Sequence, residues 1–163
     1  MRIVLLLLLT TLGATGCGFK LREQLTLPPA LAQLRVETSD PYSPLQRNLE
    51  QALRRGGATL SETADESAVL RVSGSRIDRL PLSVGDTGRV QEYLMRYTVE
   101  FELVDAAKAV VLPRQSVVLE RDYTFDTFQA LGTPGEEELV KAELERDMVQ
   151  AILRRVDAAT RPD

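Results

Sequence analysis

The sequence predicts an α/β two-layer sandwich, in which a four-stranded mixed sheet carries two helices on one face in the order β-α-β-β-β-α. Several segments alternate apolar and polar residues, which is typical of half-buried strands, and two longer segments have apolar residues at helical spacing. The first helix lies between two strands and therefore predicts a parallel pair with a right-handed crossover. Short connections between the remaining strands predict an antiparallel meander.

The first strand and the first helix follow from residues 33–57. Leu34 and Val36 alternate with charged residues and predict a strand that ends at 39–41. Ser43 is a suitable N-cap, and Pro44 fits the first helical turn because its missing N–H has no partner there. Two glycines then end the helix. The predicted buried face of this helix comprises Leu45, Leu49, Ala52 and Leu53.

The middle of the chain predicts three further strands. Residues 69–77 form the second strand, with a weak point at Gly74, and apolar residues prolong it past Pro81 to Val84. The third strand has the clearest alternation, and its predicted buried residues are Tyr93, Met95, Tyr97, Val99, Phe101 and Leu103. After a turn at 105–109, the fourth strand is predicted to bury Val117, Leu119, Tyr123 and Phe125.

A long second helix completes a single domain that we place at residues 31–160. Thr133 and Glu136 have capping-box spacing, and Pro134 occupies the first helical position. The helix is expected to end near Thr160. Its predicted buried residues are Leu144, Met148, Ile152 and Val156.

The N-terminus has the layout of a bacterial lipoprotein signal peptide. Arg2 precedes an apolar run that is too short to span a bilayer, and small residues at 14–16 precede Cys17. We therefore predict a signal peptide at 1–16, acylation of Cys17, and an extended tether at 17–30. A plain secretory peptide followed by a buried free cysteine is the alternative. Gly18 after the cysteine favours export to the outer membrane, by resemblance to bacterial lipoproteins in general.

The composition excludes several function classes. The chain has no histidine and one cysteine, which excludes imidazole metal sites, histidine-dependent nucleophilic catalysis and an intrachain disulfide. Its net charge of −4 does not favour nucleic-acid binding. We predict a protein without metal, cofactor or enzymatic activity. Acidic residues 136–138 are explained by the helix dipole, and Gly85 and Gly88 mark a turn rather than a phosphate loop.

Arginines are concentrated around the second and third strands. The planar guanidinium suits bidentate binding of phosphate or carboxylate, although a solvated sheet face has the same composition. These residues are Arg71, Arg76, Arg79, Arg89 and Arg96.

Four segments together resemble one known family. They are Gly16-Cys17-Gly18-Phe19-Lys20-Leu21-Arg22, then Leu82-Ser83-Val84 with Glu92-Tyr93, then Arg121-Asp122-Tyr123-Thr124-Phe125-Asp126, and finally the stretch from Asp147 to Arg155. In order and spacing the chain resembles the lipopolysaccharide-assembly lipoprotein family LptE over nearly its whole length. The resemblance implies the two-helix, four-stranded sandwich.

The resemblance also implies a function without catalysis. Members of the family plug the outer-membrane β-barrel LptD, support its folding and contact lipopolysaccharide on its way to the outer leaflet. By this resemblance, Arg76, Arg79 and Arg89 are the expected lipopolysaccharide contacts, and Leu82 and Val84 the expected barrel contacts. The expected location is the outer membrane, lipid-anchored on the periplasmic side and in the barrel lumen. A lipid-binding accessory lipoprotein of another envelope transport system is the alternative.

Substitution of Cys17→Ala tests the lipid anchor. The variant should fold but no longer partition with outer membranes, because the anchor is acyl chains rather than a helix. Membrane fractionation measures this. An unchanged amount of protein in the membrane fraction would contradict the lipoprotein interpretation.

Overall fold

A computed structural model describes residues 31–61, 67–84, 90–124 and 135–160. Their elements form one mixed sheet with strand order β2-β1-β3-β4-β5, and two helices. The elements are β1 Gln33–Thr38, α1 Pro44–Arg55, β2 Thr59–Leu60, β3 Ala68–Val84, β4 Val90–Val104, β5 Val110–Thr124 and α2 Glu136–Thr160.

The topology confirms the predicted α/β architecture with one correction. β1 pairs in parallel with β3, and β3, β4 and β5 form an antiparallel meander. The sheet has five strands rather than four, because Thr59 and Leu60 add the short parallel strand β2 at the edge of β1. Thr59 N donates to Ala32 O and Ser61 N donates to Leu34 O, which holds β2 beside β1. Two residues are too few to show alternation, so the sequence pattern gave no indication of β2.

Helix α1 begins and ends as its sequence predicts. The Ser43 hydroxyl accepts a hydrogen bond from Gln46 N at 3.2 Å, and Pro44 stands in the first turn. Beyond the last turn, Gly57 has a φ of 89°, a conformation that residues with a Cβ adopt only with strain. The buried residues of α1 are the predicted ones: Leu45, Leu49, Ala52 and Leu53.

The core lies between the helices and one face of the sheet. Strand β4 supplies its centre, and the strand's alternation has the predicted phase: Met95, Tyr97, Val99, Phe101 and Leu103 are all buried, with Tyr93 packed at the margin. Helix α2 contributes Leu144, Met148, Ile152 and Val156, as predicted, together with Val149, Ala151 and Leu153. The predicted cap residues Thr133 and Pro134, and Phe125, lie outside the described residues.

Strand β3 changes its buried set at Gly74. The ladder with β4 shifts register between Val72 and Gly74. The shift lies at Gly74, where the sequence predicts a weak point in the strand. Before the shift, Leu70 and Val72 face the core. After it, Ile77 packs against the core, and Arg79 lies opposite the buried Met95. The shift therefore decides which arginines of β3 share a face.

Candidate functional site

The sheet face away from the helices carries a ladder of ion pairs. Arg71 bonds Glu37 at 3.3 Å and Glu102 at 2.8 Å, which joins β1, β3 and β4. The Arg96 guanidinium contacts Glu120 of β5 at 2.6 Å. We call this surface the open face; it comprises Glu37, Arg71, Arg76, Asp78, Arg96, Glu102 and Glu120.

The arginines that sequence reasoning grouped together divide between the two sheet faces. Arg76 lies on the open face, opposite Thr98, and contacts Asp78 at 2.9 Å. Arg79 lies on the helix face. Arg89 lies outside the described residues. Each of the described arginines in this group has a carboxylate partner, so an incoming anion would have to exchange with a carboxylate of the fold.

Arg79 is the centre of a small cluster on the helix face. Its guanidinium bonds Glu137 of the first turn of α2 at 2.8 Å and lies 4.1 Å from the ring centroid of Tyr93. Tyr93 in turn stacks on Tyr123 with centroids 5.7 Å apart. The hydrogen bond to Glu137 raises the pKa of Arg79, which keeps the guanidinium charged. We name Arg79, Tyr93, Tyr123 and Glu137 the Arg79 cluster.

Tyr123 is the buried member of the Arg79 cluster. Only 4% of its surface is exposed, and within the described residues its hydroxyl has no hydrogen-bond partner. Burial, reinforced by the carboxylate of Glu137, raises the pKa of Tyr123 to about 12. The phenol is therefore held neutral, with its polar atom close to the ion pair that fastens α2 to the sheet.

A second arginine fastens α2 farther along the helix. Arg121 of β5 contacts Glu143 at 3.0 Å and Asp147 at 2.7 Å. The sequence explains Glu136 to Glu138 by the helix dipole alone and gives no partner for Arg121. The structure instead uses Arg121 and Glu137 in contacts between strand and helix, which no local pattern indicates.

Exposed apolar side chains lie where β3 approaches its end. Leu80 and Leu82 are exposed, the latter to 53%. The ladder between β3 and β4 is irregular here, with register shifts on both sides of Ser83. We call residues 80–84 the β3 tip; it contains the two residues expected at a barrel contact, Leu82 and Val84.

Two of the clefts that the described residues form border the helices. A cleft of about 430 Å³ lies between the start of α1, the start of α2 and β3, with Ile77 and Met95 among its lining residues and Arg79 and Glu137 at its side. The other, of about 580 Å³, lies beside β1 and α1. Within the described ranges there is no cluster of metal-ligating side chains, and neither helix is long and apolar enough to cross a membrane. Cys17 lies outside these ranges.

Comparisons with known proteins agree with one another. The family LptE, described as lipopolysaccharide-assembly, matches residues 31–156. The LPS-assembly lipoprotein LptE of Yersinia enterocolitica is 31% identical over 95% of this chain and 75% of its own length. That of Photorhabdus laumondii is 29% identical over 94% of this chain and 84% of its own.

Solved structures share the fold. The rare lipoprotein B from Shewanella oneidensis superposes with a TM-score of 0.68 at 30% identity, over 77% of this chain and 94% of its own. The lipoprotein B from Nitrosomonas europaea has a TM-score of 0.73 at 29% identity, over 87% of this chain and 92% of its own. The described sheet and helices therefore have experimentally determined counterparts.

Substitution of Tyr123→Phe should change the alkaline stability of the fold. The pKa of Tyr123 is raised from 10 to about 12 in the folded chain. The neutral phenol therefore contributes to the free energy of unfolding in full below pH 10, and this contribution is lost as the pH rises through 12. Without the hydroxyl, the free energy of unfolding should fall less steeply over this interval. At neutral pH the variant should be at least as stable as the parent, because a buried unpaired hydroxyl costs ~1–3 kcal/mol.

Denaturant unfolding at a series of pH values measures both effects. Tyr42→Phe is the matched control, because it removes the same hydroxyl from a side chain that is 85% exposed. Identical pH profiles for the parent and Tyr123→Phe would contradict the prediction.

Proposed function

The chain belongs to the lipopolysaccharide-assembly family LptE, and from this premise we propose that it plugs the LptD β-barrel, supports its assembly and takes part in lipopolysaccharide transport to the outer leaflet. It is a non-enzymatic lipoprotein of lipopolysaccharide transport and outer-membrane biogenesis.

The exposed apolar residues of the β3 tip are the observation that supports a contact with the barrel. β1 pairs with β3 only between Ala68 and Val72, so the remainder of β3 has β4 as its sheet neighbour. Leu80 and Leu82 are exposed in this remainder. A wall that removes such side chains from water gains ~25 cal/mol per Å² of apolar surface. The tip is thus suited to pack against a partner at the end of the sheet.

The Arg79 cluster supports contact with lipopolysaccharide. The phosphates and sugar acids of this lipid are anionic, whereas the protein has a net charge of −4, so attraction has to be local and sensitive to salt. Arg79 presents a guanidinium that is 44% exposed although it is paired with Glu137. A phosphate can replace that carboxylate without leaving Arg79 uncompensated. We propose Arg76, on the open face, and Arg89, which lies outside the described residues, as further contacts.

The proposed location follows from the N-terminal sequence. Acylation of Cys17 would anchor the chain, Gly18 would permit its export to the outer membrane, and residues up to 30 would link the anchor to the domain. The domain then lies on the periplasmic side and enters the barrel lumen.

Charged substitutions at the β3 tip test the barrel contact. Leu82→Arg and Val84→Arg should each lower the amount of LptD-like barrel that copurifies with the chain from solubilised outer membranes, because a charge at this contact must be desolvated. Val110→Arg is the matched control, since Val110 is also exposed but lies at the opposite end of the sheet. Undiminished capture by both tip variants would remove the tip from the interface, and capture of a different transporter by the parent would favour the accessory-lipoprotein alternative.

Substitutions of Arg79 and of its partner Glu137, which should change the affinity in opposite directions, test the lipopolysaccharide contact. Arg79→Glu combined with Arg89→Glu should weaken binding of lipopolysaccharide, and the loss should be largest at low salt. Glu137→Gln should strengthen binding, because it removes the carboxylate that competes for Arg79. Binding isotherms across a salt series measure both directions.

Arg121→Glu is the control for damage to the packing of α2, because Arg121 also joins a strand to this helix. It should leave lipopolysaccharide affinity unchanged. If the Arg79/Arg89 variant binds as tightly as the parent at low salt, these arginines are a solvated surface and the chain acts as a plug without recognising the lipid.

A further inference from the structure

Strand β5 is the outer strand of the described sheet on the side away from β1. It runs for 15 residues and pairs with β4 along nearly its whole length. Its other edge has no strand beside it within the described residues. An edge of this length presents a row of backbone donors and acceptors that can pair with another strand.

Two hydrogen bonds show which residues present their backbone to that edge. Arg155 of α2 donates to the carbonyl of Ser116 at 2.9 Å, and Ser73 of β3 donates to the carbonyl of Glu100 at 3.5 Å. Ser116 and Glu100 are ladder partners, yet the carbonyl of each points away from the other strand. They therefore form a non-hydrogen-bonded pair, and by alternation Val118, Glu120 and Asp122 also direct their N–H and C=O groups outward.

Among the charged residues of β5, some form ion pairs with described residues and others do not. Glu120 is bonded to Arg96, and Arg121 is bonded to two carboxylates of α2. Arg114 and Asp122 are exposed and have no ion pair with any described residue. They have opposite charges and lie four residues to either side of Val118, whose side chain is 51% exposed.

We propose that two copies of this chain pair antiparallel through their β5 edges, with the two-fold axis at Val118. In this register Val118 meets Val118 and Ser116 meets Glu120. Arg114 of each copy lies beside Asp122 of the other, so both unpaired charges gain a partner and no like charges face each other. Because the pattern is complementary to itself under two-fold rotation, a second copy is the partner that it specifies.

Pro113 and Arg155 limit and control this pairing near the beginning of β5. Pro113 lacks an N–H and, with the register shift between Leu112 and Gln115, ends the regular edge on one side. Arg155 occupies the Ser116 carbonyl and also bonds Gln115. The guanidinium must leave that carbonyl for the second strand to bind, so Arg155 opposes pairing. The proposal goes beyond the proposed function and does not rest on it, because the edge and the β3 tip are different surfaces.

The test is the mass of the full-length acylated chain in detergent micelles over a concentration series, measured by sedimentation equilibrium. We expect a monomer–dimer equilibrium. Val118→Lys should weaken it by about tenfold or more, since two like charges then meet at the axis. Val110→Lys is the matched control, as Val110 is 62% exposed on the same strand but outside the paired segment. Arg155→Ala should strengthen dimerisation.

A charge swap distinguishes pairing in this register from non-specific association of the chains. Arg114→Asp and Asp122→Arg should each weaken the dimer, because each places like charges together twice. The double variant should restore it. These exposed positions also keep the test decisive if Val118→Lys fails to fold. As a register check, Val118→Cys should form a disulfide between copies under oxidising conditions, whereas Asp122→Cys should not, because its partner position is 114.

Three results would overturn the proposal. One is a chain that stays monomeric at every concentration, including as Arg155→Ala. Another is a dimer that the Val118 and charge variants leave unchanged, or that the double swap does not restore. The third is an edge that binds a strand of another protein while the chain itself remains monomeric.

Discussion

The fold depends on the burial of one face of β4. Met95, Tyr97, Val99, Phe101 and Leu103 are each no more than 3% exposed, and they form a continuous wall across the centre of the sheet. Burying an aliphatic or aromatic side chain of this size contributes ~1.5–3 kcal/mol. β3 and β5 pair with β4 along most of its length, while β1 joins the sheet only through β3 and β2 only through β1. β1 and β2 are therefore connected to β4 through β3, α2 contacts β4 and β5 directly, and α1 packs against α2 and β1.

The same alternation that buries one face of β4 places charges on the other, and this determines how the surface can work. On the open face, Arg71 and Arg96 are joined to carboxylates of neighbouring strands. On the helix face, Arg79 is joined to Glu137. Exposed ion pairs contribute only ~0–1 kcal/mol to folding, so exchanging one carboxylate for a phosphate changes stability little. An acidic protein can thus offer cationic groups to an anionic lipid without carrying a net basic surface.

The sequence predicted those elements whose determinants are local. The alternation of β4, the Ser43 cap and the apolar stripe of α2 are all contained within single segments, and the structure has each of them. β2 was missed because two residues contain no period. The register shift at Gly74 placed Arg76 on the same face as Arg71 and Arg79 on the other, whereas unbroken alternation would give the reverse, and a shift of register depends on the partner strand rather than on the strand itself.

The Arg79 cluster could not be predicted from the sequence, for a related reason. Arg79 and Glu137 are 58 residues apart, and three acidic residues at the start of a helix already have a sufficient local explanation. Only the packing of α2 across the sheet distinguishes Glu137 from its two neighbours. The acylation site and Arg89 lie outside the described residues, so their predicted roles depend on sequence and family membership.

The outer edge of β5 exposes backbone hydrogen-bonding groups, and these groups can be covered in two ways. In the proposed function the domain enters a barrel lumen, where such an edge would have to be covered. In the monomer, Arg155 satisfies the carbonyl of Ser116 from the chain's own second helix. In the proposed dimer, a second copy satisfies the whole row from Ser116 to Asp122. A lumen that admits one copy requires the pair to separate first, and Arg155 is placed to bond that carbonyl again as the strands part. The β3 tip and the Arg79 cluster lie outside the paired segment of β5, so a partner can engage the tip of either copy before the edges separate.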